Sequence, residues 1–212
     1  MKPEAIATTD VQIYYGNDRM NAAVTLFDSR QSDVIAETDA FELIQNFDRF
    51  RTYGIEGEVL MRPMRNVELT AAVTHQTLNN QTDLVFSDIA VPVPRFMAKV
   101  GISDRTESGV TLGLHDSYFG TPTESSHVDE DPIDTTQFVN PTASAFHNVT
   151  VNLAYRLRQL AFMRTGSDLT MHAYVNNLLD EKIYYAEYTA VNVNSIPGRP
   201  GRGLFVGATV GF

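Results

Sequence analysis

The sequence contains no cysteine, so neither a disulfide framework nor a thiolate metal site is open to it. It also lacks any apolar run near the roughly 18 residues that a membrane-crossing helix needs. The opening residues, MKPEAI, have no apolar core of the kind found in a signal peptide. Positive charge is scarce too: 16 Lys and Arg stand against 26 Asp and Glu, for a formal net charge of −10. That balance argues against nucleic acid as a partner. With 212 residues, 43% of them hydrophobic, the chain could still build one domain with a good-sized core. None of these absences excludes a transmembrane β-barrel, whose strands are apolar on one face and look soluble on average.

What the sequence does have is alternation, sustained to its last residue. Leu204, Val206, Ala208, Val210 and Phe212 fall on one face of an extended segment, and Phe205, Gly207, Thr209 and Gly211 on the other. Soluble chains usually fray at their ends. A transmembrane barrel instead closes on its final strand in lipid. Eight further segments alternate in the same way: 10–15, 19–27, 53–61, 67–76, 96–103, 110–115, 148–157 and 169–177. The face opposite the aliphatic one is polar and carries Glu56, Glu58, Glu68, Lys99 and Arg156, which would line a hydrated lumen.

The connections sort by size. Short turns at 16–18, 62–66, 106–109 and 165–168 alternate with longer links at 32–46, 77–94, 120–145 and after 177. Periplasmic turns and extracellular loops of outer-membrane barrels alternate like this, whereas a β-sandwich has no reason to sort its loops by length. The expected fold is therefore all-β, an antiparallel up-and-down meander of about nine membrane-spanning strands.

Several motifs resemble one family. YVNNLLDEKIY at 174–184, then PGRPGR at 197–202 and a last strand ending in Phe212, are similar to the C-terminal region of TonB-dependent outer-membrane receptors. YGIEGE at 53–58 resembles the family's Gly-(Val/Ile)-Glu strand, and KPE at 2–4 a recurrent lead-in. Ile183, inserted ahead of Tyr184, departs from the pattern and bears on local register. The resemblance implies part of a 22-stranded barrel, with residues 1–212 as its C-terminal portion and the plug domain and N-terminal strands absent. At about ten residues per strand, so many strands alone would exceed this chain. With a periplasmic C-terminus, every short turn is periplasmic and the first strand begins outside the cell. An odd strand count would also force a parallel closure that bacterial single-chain barrels avoid.

The resemblance further implies a function: TonB-dependent nutrient import across the bacterial outer membrane, by family base rates of a ferric siderophore, with the fragment alone inactive in transport. Neither an enzymatic activity nor a cofactor is expected. The implied partners are outer-membrane lipid and lipopolysaccharide, a small-molecule metal chelate, and the TonB complex through the missing N-terminal part. The barrel-assembly machinery joins them, with Phe212 as the assembly signal. Two alternatives stand beside this reading: a small stand-alone outer-membrane porin or adhesin, and a soluble β-sandwich binding module.

Candidate site residues fall into three groups. Tyr184, Tyr185, Tyr188, Arg199 and Arg202 occupy the last extracellular connection, where they could bind an anionic chelate by stacking and charge-assisted hydrogen bonds. His127, Asp129, Glu130, Asp131 and Asp134 crowd oxygen ligands and one imidazole together, but their spacing is not diagnostic of a metal and reads as a solvated acidic loop. His147, beside Asn148 and near Ser144, invites a hydrolase reading. Neighbours in a strand point to opposite faces, which argues against catalysis. Tyr15, Tyr53, Tyr155 and Phe212 read as aromatic girdles at the membrane interfaces.

Overall fold

The computed structural model describes residues 3–37, 43–80, 93–122, 143–158, 168–185 and 198–211. Nine strands follow one another: β1 (Ala5–Gly16), β2 (Met20–Glu37), β3 (Leu43–Met61), β4 (Val67–Asn80), β5 (Phe96–Arg105), β6 (Val110–Phe119), β7 (Phe146–Arg158), β8 (Asp168–Asn176) and β9 (Gly203–Gly211). They form a single sheet in the order β1 to β9, and each strand pairs antiparallel with its sequence neighbours. In this sheet β1 and β9 have a partner on one side only. Among the described residues there is no helix.

Register follows from the period-2 pattern, because a slip of one residue would turn each apolar set to the polar side. Ile13 lies opposite Val24, Val24 opposite Gly57, Gly57 opposite Val73, and Val73 opposite Ala98. Further along, Leu114 faces Val151, Val151 faces Val175, and Val175 faces Leu204. The aliphatic positions thus form one continuous face across all nine strands. It is uncovered: Ile13 is 75% exposed and Val206 78%. Among the described residues the only buried hydrophobic side chains are Ala143, Phe146 and Ile183. A soluble chain of this length would bury far more, and the second layer that a β-sandwich requires is not present among these strands.

The strands run further than alternation indicated. Residues 32–46, expected as a connection, belong mostly to β2 and β3, which reach 18 and 19 residues, and β4 continues to Asn80. Main-chain ladders do not depend on alternation, so sequence without a period of two can extend a strand beyond the band that alternates. Register shifts between Gln31 and Ala36, with Asp33 at φ 57°, mark bulges in this part of β2.

At the opposite end the turns are tight. Asn17 accepts hydrogen bonds at its side-chain oxygen from the amides of Arg19 (2.8 Å) and Met20 (2.9 Å), joining β1 to β2. Gly109 closes the β5–β6 turn at φ 88°, where an added Cβ would stand 2.9 Å from the Arg156 carbonyl oxygen.

Candidate functional site

Two surfaces and one clasp make up the candidate site. On the polar face, strand register places Glu56, Glu58, Glu68, Lys99 and Arg156 on one side of the sheet, with Thr74, Ala72 and Thr170 as cross-strand neighbours. Glu68 receives Arg62 of the β3–β4 turn at 2.9 Å, and Arg156 donates to Asp168. A hollow of about 350 Å³ opens here, lined among others by Tyr14, Asn21, Glu58, Thr70 and Lys99. Small Ala72 stands between the Glu58 carboxylate and the Lys99 ammonium, and Ala23 flanks Glu58 on its other side.

The clasp lies at the end with the long connections and is built on Asn177, which is 1% exposed. Its side-chain amide donates to the carbonyls of Glu181 (2.9 Å) and Pro200 (3.4 Å), and its oxygen accepts the Glu181 amide at 3.0 Å. Asp180 accepts the main-chain amide of Arg202 at 2.8 Å. Asn177 and Asp180 hold φ values of 50° and 58°, in a region that short polar side chains tolerate best among non-glycine residues. The Glu181 carboxylate reaches across to accept the His147 amide at 3.0 Å, and the Leu178 amide donates to the Val149 carbonyl at 2.8 Å. The start of β7, the end of β8 and the start of β9 are thereby fastened together. Ile183, the residue that departs from the family pattern, is 1% exposed within this clasp, and its carbonyl accepts the Gly198 amide at 2.8 Å.

Of the five residues expected to bind ligand, the structure brings two together. The Arg199 guanidinium lies 6.0 Å from the centre of the Tyr185 ring and donates to the Tyr185 hydroxyl. Tyr185 packs edge-on against Phe146 at 6.1 Å. Arg202 turns to Asp180 instead, 3.9 Å away, and Tyr184 is half-buried. Tyr188 and Phe212 fall outside the described residues, as do His127, Asp129, Glu130, Asp131 and Asp134.

His147 is on the apolar face, its Nδ1 2.7 Å from an Asp116 carboxylate oxygen and its ring 4.8 Å from Tyr118. Asn148 takes the polar face, opposite Ser117. The pair divides as strand geometry requires, and the carboxylate partner of His147 comes from β6, unforeseen because it lies 31 residues away.

Of one cluster the sequence pointed only to Tyr53, as a girdle aromatic, and not to its charged partners. Beyond Leu26 and Ile55, the apolar face continues into Asp28, Arg30, Arg51 and Tyr53. Arg51 grips Asp28 with both ends of its fork, Nε at 2.9 Å and Nη2 at 2.8 Å, while stacking 5.0 Å over Tyr53. Arg30 shares the same carboxylate at 3.1 Å. Continuing the period of two past Phe27 would have found Asp28 and Arg30 in phase with Leu26.

A single antiparallel layer with one face aliphatic across nine registered strands and the other polar is the wall of a β-barrel. The sequence model described as TonB dependent receptor-like, beta-barrel, matches residues 1–178. The chain belongs to this family of TonB-dependent receptors. No curated protein matches it. Among solved structures it is similar to the ferric-catecholate import receptor Fiu from E. coli K12 in its closed form, at TM-score 0.71 and 16% identity. The FrpB iron transporter from Neisseria meningitidis matches at TM-score 0.71 and 17% identity. The copper transporter OprC matches at TM-score 0.65 and 18% identity. The matches take in 99%, 98% and 99% of this chain but 28%, 30% and 31% of those proteins. The chain therefore spans less than a third of the length of the solved structures it resembles. The family consists of transport receptors rather than enzymes.

Proposed function

We propose that this chain is the C-terminal part of the barrel of a TonB-dependent uptake receptor in the bacterial outer membrane. Its apolar face meets lipid and its polar face, with Glu56, Glu58, Glu68, Lys99 and Arg156, lines the lumen of a 22-stranded barrel. The observation that carries the reading is the unbroken aliphatic face, in register from Ile13 on β1 to Leu204 on β9 and open on the outside. In water such a face would aggregate; in a bilayer it is the side that belongs there. The tight turns are periplasmic and the clasp faces outward from the cell.

The cargo of the intact receptor is a ferric siderophore, a reading supported by the iron carriers among the similar structures. Extracellular connections capture the chelate, with Tyr184, Tyr185, Tyr188, Arg199 and Arg202 contributing from the last one. A plug N-terminal to this portion then rearranges when the energised TonB complex pulls on it. Phe212 is read by the barrel-assembly machinery, and lipopolysaccharide surrounds the outer half of the wall. By itself the chain transports nothing.

The test is uptake of labelled ferric siderophores and of labelled copper under metal limitation, in cells with and without the gene for the intact receptor. Loss of ferric siderophore uptake on deletion is expected. Loss of copper uptake alone would replace the cargo and leave the receptor class standing.

A further inference from the structure

The cluster at Asp28, Arg30, Arg51 and Tyr53 stands on the aliphatic face, not on the face assigned to the lumen. Leu26 and Ile55 form the last aliphatic cross-strand pair before the bulges of β2; Asp28 and Tyr53 form the next row, and Arg30 and Arg51 the one after. Each row lies about 7 Å further along the strands. The facing positions on the neighbouring strands are uncharged: Thr9 and Ala7 on β1, Thr77 and Asn79 on β4. Two guanidiniums therefore share one carboxylate, and these rows carry a surplus positive charge.

The donors are not used up. A guanidinium has five N–H groups. Among the described residues, Arg51 turns Nε and Nη2 to Asp28, and Arg30 turns Nη2 to it. Arg30 remains 66% exposed and Arg51 37%. Arg51 is moreover held in place by Asp28 and by the Tyr53 ring beneath it, so little side-chain freedom remains to be lost on binding. Below the arginines run exposed Leu26, Val24, Ile13, Val11 and Ile55, a track for acyl chains.

We infer that this cluster is a docking site for a phosphorylated lipid of the surrounding leaflet. Its phosphate is received by Arg30 and Arg51, and its acyl chains lie along the aliphatic rows beneath. The planar fork of arginine matches phosphate oxygens in pairs. The side of the sheet selects the occupant: a chelate in the lumen cannot reach this face, whereas a lipid head group stands beside it. The inference rests on the membrane-wall reading above.

The test uses the intact receptor, purified in detergent and incubated with lipid A, with the same glycolipid stripped of its phosphates, or with inorganic phosphate, bound lipid being read by native mass spectrometry. The unmodified protein should retain bis-phosphorylated lipid A about tenfold or more over the phosphate-free form, as expected for charge-assisted hydrogen bonds, and should not retain inorganic phosphate. The R30Q/R51Q variant should lose that preference, while R30K/R51K keeps part of it. Equal retention of the two glycolipids by the unmodified protein would overturn the inference even if neither variant folds. So would an undiminished preference in R30Q/R51Q, or retention of inorganic phosphate alone. Heat-modifiable mobility of the same samples reports the barrel separately. A receptor that is folded but indifferent to phosphate refutes only the lipid site, and one that is not membrane-embedded refutes both.

Discussion

Asn177 and Glu181 close on each other twice: the asparagine amide donates to the Glu181 carbonyl at 2.9 Å, and the Glu181 amide returns to the asparagine oxygen at 3.0 Å. With Asn177 at φ 50° and 1% exposed, one side chain satisfies a turn that no aliphatic residue could. Asn177→Ala should destabilise the receptor by about 2–4 kcal/mol, combining unpaired backbone groups with strain at positive φ. Asn177→Gly should cost less, because glycine accepts that φ. Denaturant midpoints of protein refolded into lipid would separate the two. Equal losses would mean that backbone strain contributes nothing.

Ile183 offers a second check on the clasp. It is buried to 1% exposure, and its carbonyl accepts a hydrogen bond from the Gly198 amide. Ile183→Ala should cost about 2–5 kcal/mol and Ile183→Val well under half of that. Indifference to both substitutions, measured by the same unfolding midpoints, would remove Ile183 from the packing of the clasp.

The two faces of the sheet should respond oppositely to charge. Leu112 lies opposite Leu153 and Val151 opposite Val175 on the aliphatic face, and arginine at either position should destabilise by about 2–4 kcal/mol if it meets the bilayer midplane. Thr111 and Thr150, on the other face, should accept arginine with little loss. Matching tolerance on both faces, in a folding assay in lipid, would count against the membrane wall.

Expressed alone, the chain should yield no monomeric, heat-modifiable barrel and no uptake in a receptor-deficient strain. β1 and β9 each have a free ladder edge, costly in hydrocarbon and prone to aggregation in water. A discrete monomer whose mobility shifts on boiling, or restored uptake, would show that the nine strands suffice by themselves.

Alternation read the middle of every strand because burial on one side imposes a period of two, and so the pairing of Val24 with Gly57 or Val151 with Val175 was implicit in the residues. It failed where that pattern stops: the end of β2 and the start of β3 mix polar and apolar residues without a period of two and looked like a loop. Contacts between distant residues were not legible either. Nothing near Asp28 announces Arg51, 23 residues on, and nothing near His147 announces Asp116. Ile183 looked like an interruption of a motif; among the described residues it is one of the few buried side chains. Of the expected ligand residues, Tyr185 and Arg199 could be paired only once the clasp had folded the two halves of the last connection back to back.

The strictly sequential order of the sheet has a bearing on how such a wall can be divided. Every ladder joins chain neighbours, and no described strand crosses over another. A break in any connection between them therefore leaves no thread to be undone. The exposed edge of β1 offers an incoming strand a full set of main-chain partners, the same bonds by which a peptide augments a sheet. The order of the sheet therefore favours no one hairpin over another as a place to divide the wall.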